Sequence, residues 1–196
     1  MSGGTSQLQL ANSEALYLAR LGRSDEALAA ATSLTAHRST LDGRDQLYDE
    51  IGGMFAYPEA KQEQTLAQTY LYLGRPEQAE VSATRSLELY RSAPPNERAF
   101  GNEAAASIDL ARARLELGDV AAAMESLGPI FALEPRQRQQ FVVLRLVELR
   151  NNLETAAKPR SRAARDLVDQ IATFTSETAT DVISRKQLDS RETGVK

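Results

Sequence analysis

The chain has 196 residues, 42% of them hydrophobic, which is enough for one domain with a continuous core or one short solenoid. It contains no cysteine, which excludes a disulfide framework and any thiolate metal site, and its single histidine, His37, cannot build a metal centre. The formal net charge of −4 gives no electrostatic reason to bind nucleic acid; no signal peptide is seen and no apolar run approaches the roughly 18 residues of a membrane span, so a cytoplasmic protein with no metal and no cofactor is expected.

Taken in order, residues 1–7 are short, polar and glycine-bearing and read as a flexible start. From Leu8 to Leu21, apolar residues at Leu8, Ala11, Ala15, Leu18 and Leu21 keep three- and four-residue spacing, the stripe of an amphipathic helix. Ser24 or Asp25 can cap a second helix that runs to about Thr35. The segment 36–59 holds a short helical stretch from Arg44 to Glu50, the pair Gly52 and Gly53, and Met54, Phe55 and Tyr57. Those three side chains are too apolar for a free loop and are expected to dock on the first hairpin. Residues 59–73 then form a third helix, and a fourth runs from Pro76, well suited to a first turn, to about Arg91.

Pro94 and Pro95 break the chain, and a new helix starting near Asn96 runs to Gly118. Its partner covers Val120 to Leu133, with Gly128 and Pro129 as a point where it can kink or split. A last pair follows, with Phe141, Leu144, Val147 and Leu149 on one helix and Leu167, Ile171 and Phe174 on the other, read as a capping hairpin. Residues 178–196 read as a polar, disordered tail, leaving 8–177 as one helical domain.

One pattern recurs in three places. Leu21-Gly22, Leu73-Gly74 and Leu117-Gly118 are each followed, five residues after the glycine, by an alanine: Ala27, Ala79 and Ala123. Glycine can take the positive φ that ends a helix, alanine lets two antiparallel helices approach closely, and the leucine is expected to fill the gap between them. This pattern is similar to that of tetratricopeptide (TPR) repeats, so the fold class expected is all-α, with TPR-like antiparallel hairpins stacked in a right-handed superhelix. The glycines lie farther apart than the regular period of about 34 residues, so the repeats are degenerate and carry insertions.

The stretches GGMFAYPEAKQ, LGRPEQAEVSATRSLELY, NERAFGNEAAASIDLARARLELGD and RLVELRNNL with SRAARDL resemble, over most of the chain, the C-terminal TPR-like region of bacterial XRE-type helix-turn-helix transcriptional regulators. In that family a DNA-binding domain precedes the repeats, and the resemblance implies transcriptional control with sensing or assembly by the repeat region. No helix-turn-helix with a basic recognition helix is found in this sequence, which reads as an excised sensor domain or a stand-alone relative.

No residue pattern supports catalysis. His37 near Asp42 and Asp45 reads as a surface residue, Gly52 and Gly53 as a turn in the absence of any phosphate-loop pattern, and the basic run from Lys158 to Arg165 as a solvated helix start. A TPR array turns the first helix of each hairpin toward its concave face. Counting back from each glycine gives Asn12, Leu16 and Arg20, then Gln64, Gln68 and Tyr72, then Ile108, Arg112 and Glu116 as exposed positions there. Of these, Asn12, Arg20, Gln64, Gln68, Tyr72 and Arg112 are the candidate groove residues. Their amides suit peptide backbone and their guanidiniums suit a carboxylate. The partner expected is a peptide or protein, or a small effector. The alternative is a scaffold or homodimerisation domain with no effector. The chain alone is expected not to bind duplex DNA specifically; a mobility shift that survives about 150 mM salt and unlabelled competitor would contradict this, since weak phosphate contacts fade under those conditions.

Overall fold

Three of the helices in this protein stop where glycine lets the backbone turn left-handed. The computed structural model describes residues 5–40, 57–94, 100–134, 137–156 and 161–192, and every regular element among them is helical. They are α1 (Thr5–Arg20), α2 (Ser24–Thr40), α3 (Glu59–Tyr72), α4 (Pro76–Ser92), α5 (Phe100–Glu116), α6 (Val120–Phe131), α7 (Gln140–Ala156) and α8 (Arg162–Glu192). The expected helix at 44–50 and the side chains of Met54 and Phe55 lie outside the described residues.

Gly22, Gly74 and Gly118 have φ of +75°, +64° and +86°. Each closes its helix with the same pair of backbone bonds. Gly22 N–H donates to Ala19 and Arg23 N–H to Leu18; Gly74 donates to Leu71 and Arg75 to Tyr70; Gly118 donates to Leu115 and Asp119 to Arg114. These are the crossed bonds of the Schellman motif, which satisfy carbonyls that a helix end otherwise leaves open. The leucine before each glycine does not do what its recurrence suggests. Leu21 and Leu117 are exposed and Leu73 is only half-buried, because the residue that caps the helix has already rotated off the apolar stripe. The buried leucines of the third helix are instead Leu66 and Leu71.

The chain divides into two compact units, Met1–Asp119 and Val120–Lys196. In the first, α1 packs on α2 and α3 on α4, while α1, α3 and α5 lie side by side and α4 also packs on α5. Alanines make these approaches close. Ala67, Ala83 and Ala106 are fully buried with Leu87 and Leu110, and Ala79 and Ala113 are fully buried with Leu71. Tyr57 docks as its apolar character requires, buried among Leu8, Ala15, Ala31, Leu34 and Leu66.

In the second unit, α8 packs against both α6 and α7. Pro129 sits inside α6 without ending it, because only the last turn follows and a single intrahelical bond is lost. The apolar stripe of α7 is Val142, Leu146 and Leu149, not the expected set, and Phe141 and Leu144 are exposed. The facing residues Leu167, Ile171 and Phe174 are buried as anticipated. Arg138 ties the start of this pair to α8: its guanidinium lies 3.9 Å over the Phe174 ring and donates to the carbonyls of Leu133 and Phe174 at 3.0 and 2.9 Å. α8 runs unbroken to Glu192, and no glycine or proline interrupts residues 162–192.

Three outcomes follow from the turn and packing geometry. Ala79→Leu should cost about 1 to 3 kcal/mol by overpacking a site with no free space. Gly74→Ala should cost about 1 to 2 kcal/mol from its left-handed backbone alone, because no atom lies within 4 Å of an added Cβ. Gly128→Ala, equally open but without a positive φ, should gain up to about 1 kcal/mol of helix propensity. Urea denaturation of the three variants checks the signs, and a neutral Gly74→Ala would contradict the turn assignment.

Candidate functional site

The candidate groove residues come from α1, α3 and α5, the three helices that lie side by side in the first unit. They separate into two groups. Asn12 and Gln64 were expected to be exposed, but Asn12 is fully buried and Gln64 is 7% exposed. Asn12 Nδ2 donates to the Tyr57 hydroxyl at 2.5 Å and to the Gln62 carbonyl at 3.0 Å, linking α1 to the start of α3. Gln64 Nε2 donates to Asp109 Oδ2 at 2.8 Å, linking α3 to α5. Counting back from the glycines found the right level on each helix but the wrong side of it, and the polar character that suggested a ligand serves the contacts between helices. Ile108 is buried as well, and Leu16 half-buried.

Around Asn12 the polar contacts extend further. Arg38 Nε donates to Gln62 Oε1 at 2.7 Å and its terminal nitrogen to the Tyr57 carbonyl at 3.0 Å. Burial pushes the Tyr57 phenol above its ordinary pKa, against the smaller opposing effects of hydrogen bonds to Thr65 and Asn12. One turn along α3, burial also raises the Glu63 carboxyl, partly offset by a hydrogen bond with Ser82. These contacts hold the base of α3 in place.

Arg20, Tyr72 and Arg112 form the second group, and the structure brings them together. Tyr72, the last residue of α3, is 38% exposed. The guanidinium carbons of Arg20 and Arg112 lie over its ring at 5.0 and 5.5 Å from the centroid. Arg20 also lies 6.0 Å over the ring of Tyr17, one turn earlier on α1, which is 60% exposed. Exposed cation–π contacts of this kind contribute about 0.5 to 1 kcal/mol each. Gln68, half-buried, precedes Tyr72 by one turn.

The two arginines differ in what else they touch. Arg112 Nε donates to Glu116 Oε1 at 3.0 Å, an i,i+4 pair on α5. Arg20 is exposed, and among the described residues its side chain makes no hydrogen bond and has no carboxylate partner; the tyrosines are its contacts. The site therefore offers one guanidinium whose donors are open, one that is already paired, and two partly exposed aromatic rings.

Sequence reasoning missed Tyr17 and Asp109. Tyr17 stands three residues before Arg20 and so shares its face, but counting in fours passes over it. Asp109 carries a clearer signal as the one acid within the apolar run AAASIDLA, where a buried acid needs a partner. Among the described residues no group of three or more His, Asp or Glu side chains could hold a metal ion, and no helix is long and apolar enough to cross a membrane. Comparison with known proteins finds no matching family model, curated protein or solved structure.

The division between buried links and surface residues has a direct consequence. Asn12→Ala should cost about 1 to 3 kcal/mol, because it removes two buried hydrogen bonds and leaves the Tyr57 hydroxyl without that donor. Arg20→Gln should cost less, at most about 1 to 2 kcal/mol, the sum of its two exposed cation–π contacts. Chemical denaturation of both variants measures the difference, and equal losses would contradict the division.

Proposed function

We propose that the first unit is a TPR-type module that binds a protein or peptide on the face formed by α1, α3 and α5, and that it serves within, or together with, a transcriptional regulator. The hairpins stack in a right-handed sense and this face is their concave side. The reading is supported by the recurring leucine, glycine and alanine pattern, by the three identical helix ends, and by the sequence resemblance to the repeat regions of XRE-type regulators. The observation that carries it is the gathering of Arg20 and Arg112 over Tyr72 from three separate helices. Core packing does not require that cluster, and arginine and tyrosine are enriched where proteins bind one another.

A second reading also has an observation in its favour. Leu10, Tyr17 and Leu21 are 72%, 60% and 73% exposed; the first two, seven residues apart, share one face of α1, and Leu21 follows its last residue. An apolar stripe of that kind suits a dimerisation scaffold with no effector.

Selection from a random peptide library displayed on phage, with the full chain and its Tyr72→Ala variant as baits, distinguishes the two. The module reading expects a consensus that is enriched on the parent and lost on Tyr72→Ala, while circular dichroism shows the variant still folded. If the parent enriches no consensus and light scattering gives a dimer that Leu10→Ser dissociates, the peptide reading is wrong and the scaffold stands.

A further inference from the structure

Arginine is always charged and carries five N–H donors in a planar fork that matches a carboxylate with two parallel bonds. Such a group at a helix end commonly turns back onto the last carbonyls of its own helix. Arg20 is not used in that way: among the described residues its side chain makes no hydrogen bond. The carbonyls of Tyr17, Leu18 and Ala19 already accept from the backbone N–H groups of Leu21, Arg23 and Gly22, at 3.0, 2.9 and 3.0 Å. The side chain lies instead over Tyr72 and Tyr17, which limits its rotation without engaging its N–H edge. A guanidinium restrained in this way loses less conformational freedom when it binds.

Its paired neighbour sharpens the contrast. Arg112 has its carboxylate in Glu116, so the arrangement completed within the protein at Arg112 is left incomplete at Arg20. Beside Arg20, Leu21 is 73% exposed and Tyr17 60% exposed, an apolar margin next to an unmatched positive charge.

We infer that Arg20, held over Tyr17 and Tyr72, is the anchoring residue of a site for a carboxylate that carries an apolar group next to it. This rests on the reading of the first unit as a peptide-binding module and names the chemistry of its ligand. Within a peptide, such a carboxylate is either the chain end after an apolar residue or an acidic side chain beside one. Arg112 contributes by supporting the Tyr72 ring and not by binding the anion.

The test uses three tripeptide probes on the full chain, followed by two-dimensional NMR of the arginine Nε–H groups and of the backbone amides of Leu21 and Gly22. The probes are N-acetyl-Ala-Ala-Leu with a free carboxylate, its C-terminal amide, and N-acetyl-Ala-Glu-Leu amide. The expected result is a saturable shift of the Arg20 Nε–H signal with the first probe and none with the neutral amide. A shift with the third probe assigns the ligand to an acidic side chain as well as to a chain end. Arg20→Gln should weaken the first probe about tenfold or more, as loss of a charge-assisted bond requires. Arg112→Gln, which removes only the support of the Tyr72 ring, should weaken the first probe less than Arg20→Gln does, and Glu88→Ala, on α4, should match the parent. Equal shifts from the free acid and its amide would overturn the carboxylate assignment while leaving peptide binding intact. No saturable shift from any probe would also overturn it, and the library selection then decides separately whether the module binds peptides at all.

Discussion

Two buried amide side chains determine how the first helices of the larger unit lie against one another. The surfaces where α3, α4 and α5 meet are rich in alanine, which lets the backbones approach but offers few protrusions to set how far one helix slides along the next. A hydrogen bond in a dry interface does set it, because sliding by one turn strands a donor and an acceptor at a cost of about 1 to 3 kcal/mol for each unsatisfied group. Asn12 does this between α1 and α3, and Gln64 with Asp109 does it between α3 and α5.

The same links account for where chemistry is available. Asparagine and glutamine side chains that could have met a peptide are consumed by helix contacts near the middle of each helix. What remains accessible lies toward the C-terminal ends, where Arg20 ends α1, Tyr72 ends α3 and Arg112 stands one turn before the end of α5. With the helices fixed in register, these side chains meet. Helix C-termini carry partial negative charge, so two arginines there are favoured on their own account. Only one of them is matched by a nearby carboxylate.

Much of the helical layout was legible in the sequence for a local reason. A Schellman turn needs a residue that tolerates positive φ, and glycine at 22, 74 and 118 marked all three turns. Spacing gave α1, α3 and α4 nearly to their ends, since three- and four-residue periodicity depends on no distant contact. Which side of a helix faces its neighbours was less legible, because polar residues in buried links have the same pattern as polar residues in water. Asn12 and Gln64 were misread for that reason, and Leu21 because its apolar character says nothing of a rotation at the helix end. The convergence of Arg20, Tyr72 and Arg112 was visible only as equivalent positions in successive repeats. That Arg112 is paired and Arg20 is not depends on side-chain contacts that no spacing rule supplies.

The register set by buried polar contacts is tested most directly by a double-mutant cycle on Gln64 and Asp109. Stabilities of the parent, Gln64→Ala, Asp109→Ala and the double variant are measured by urea denaturation at one pH. A coupling energy of about 0.5 to 3 kcal/mol is predicted, the range for residues in one hydrogen-bonded contact. Additive losses, with coupling indistinguishable from zero, would contradict it and leave the approach of α3 to α5 to alanine packing alone.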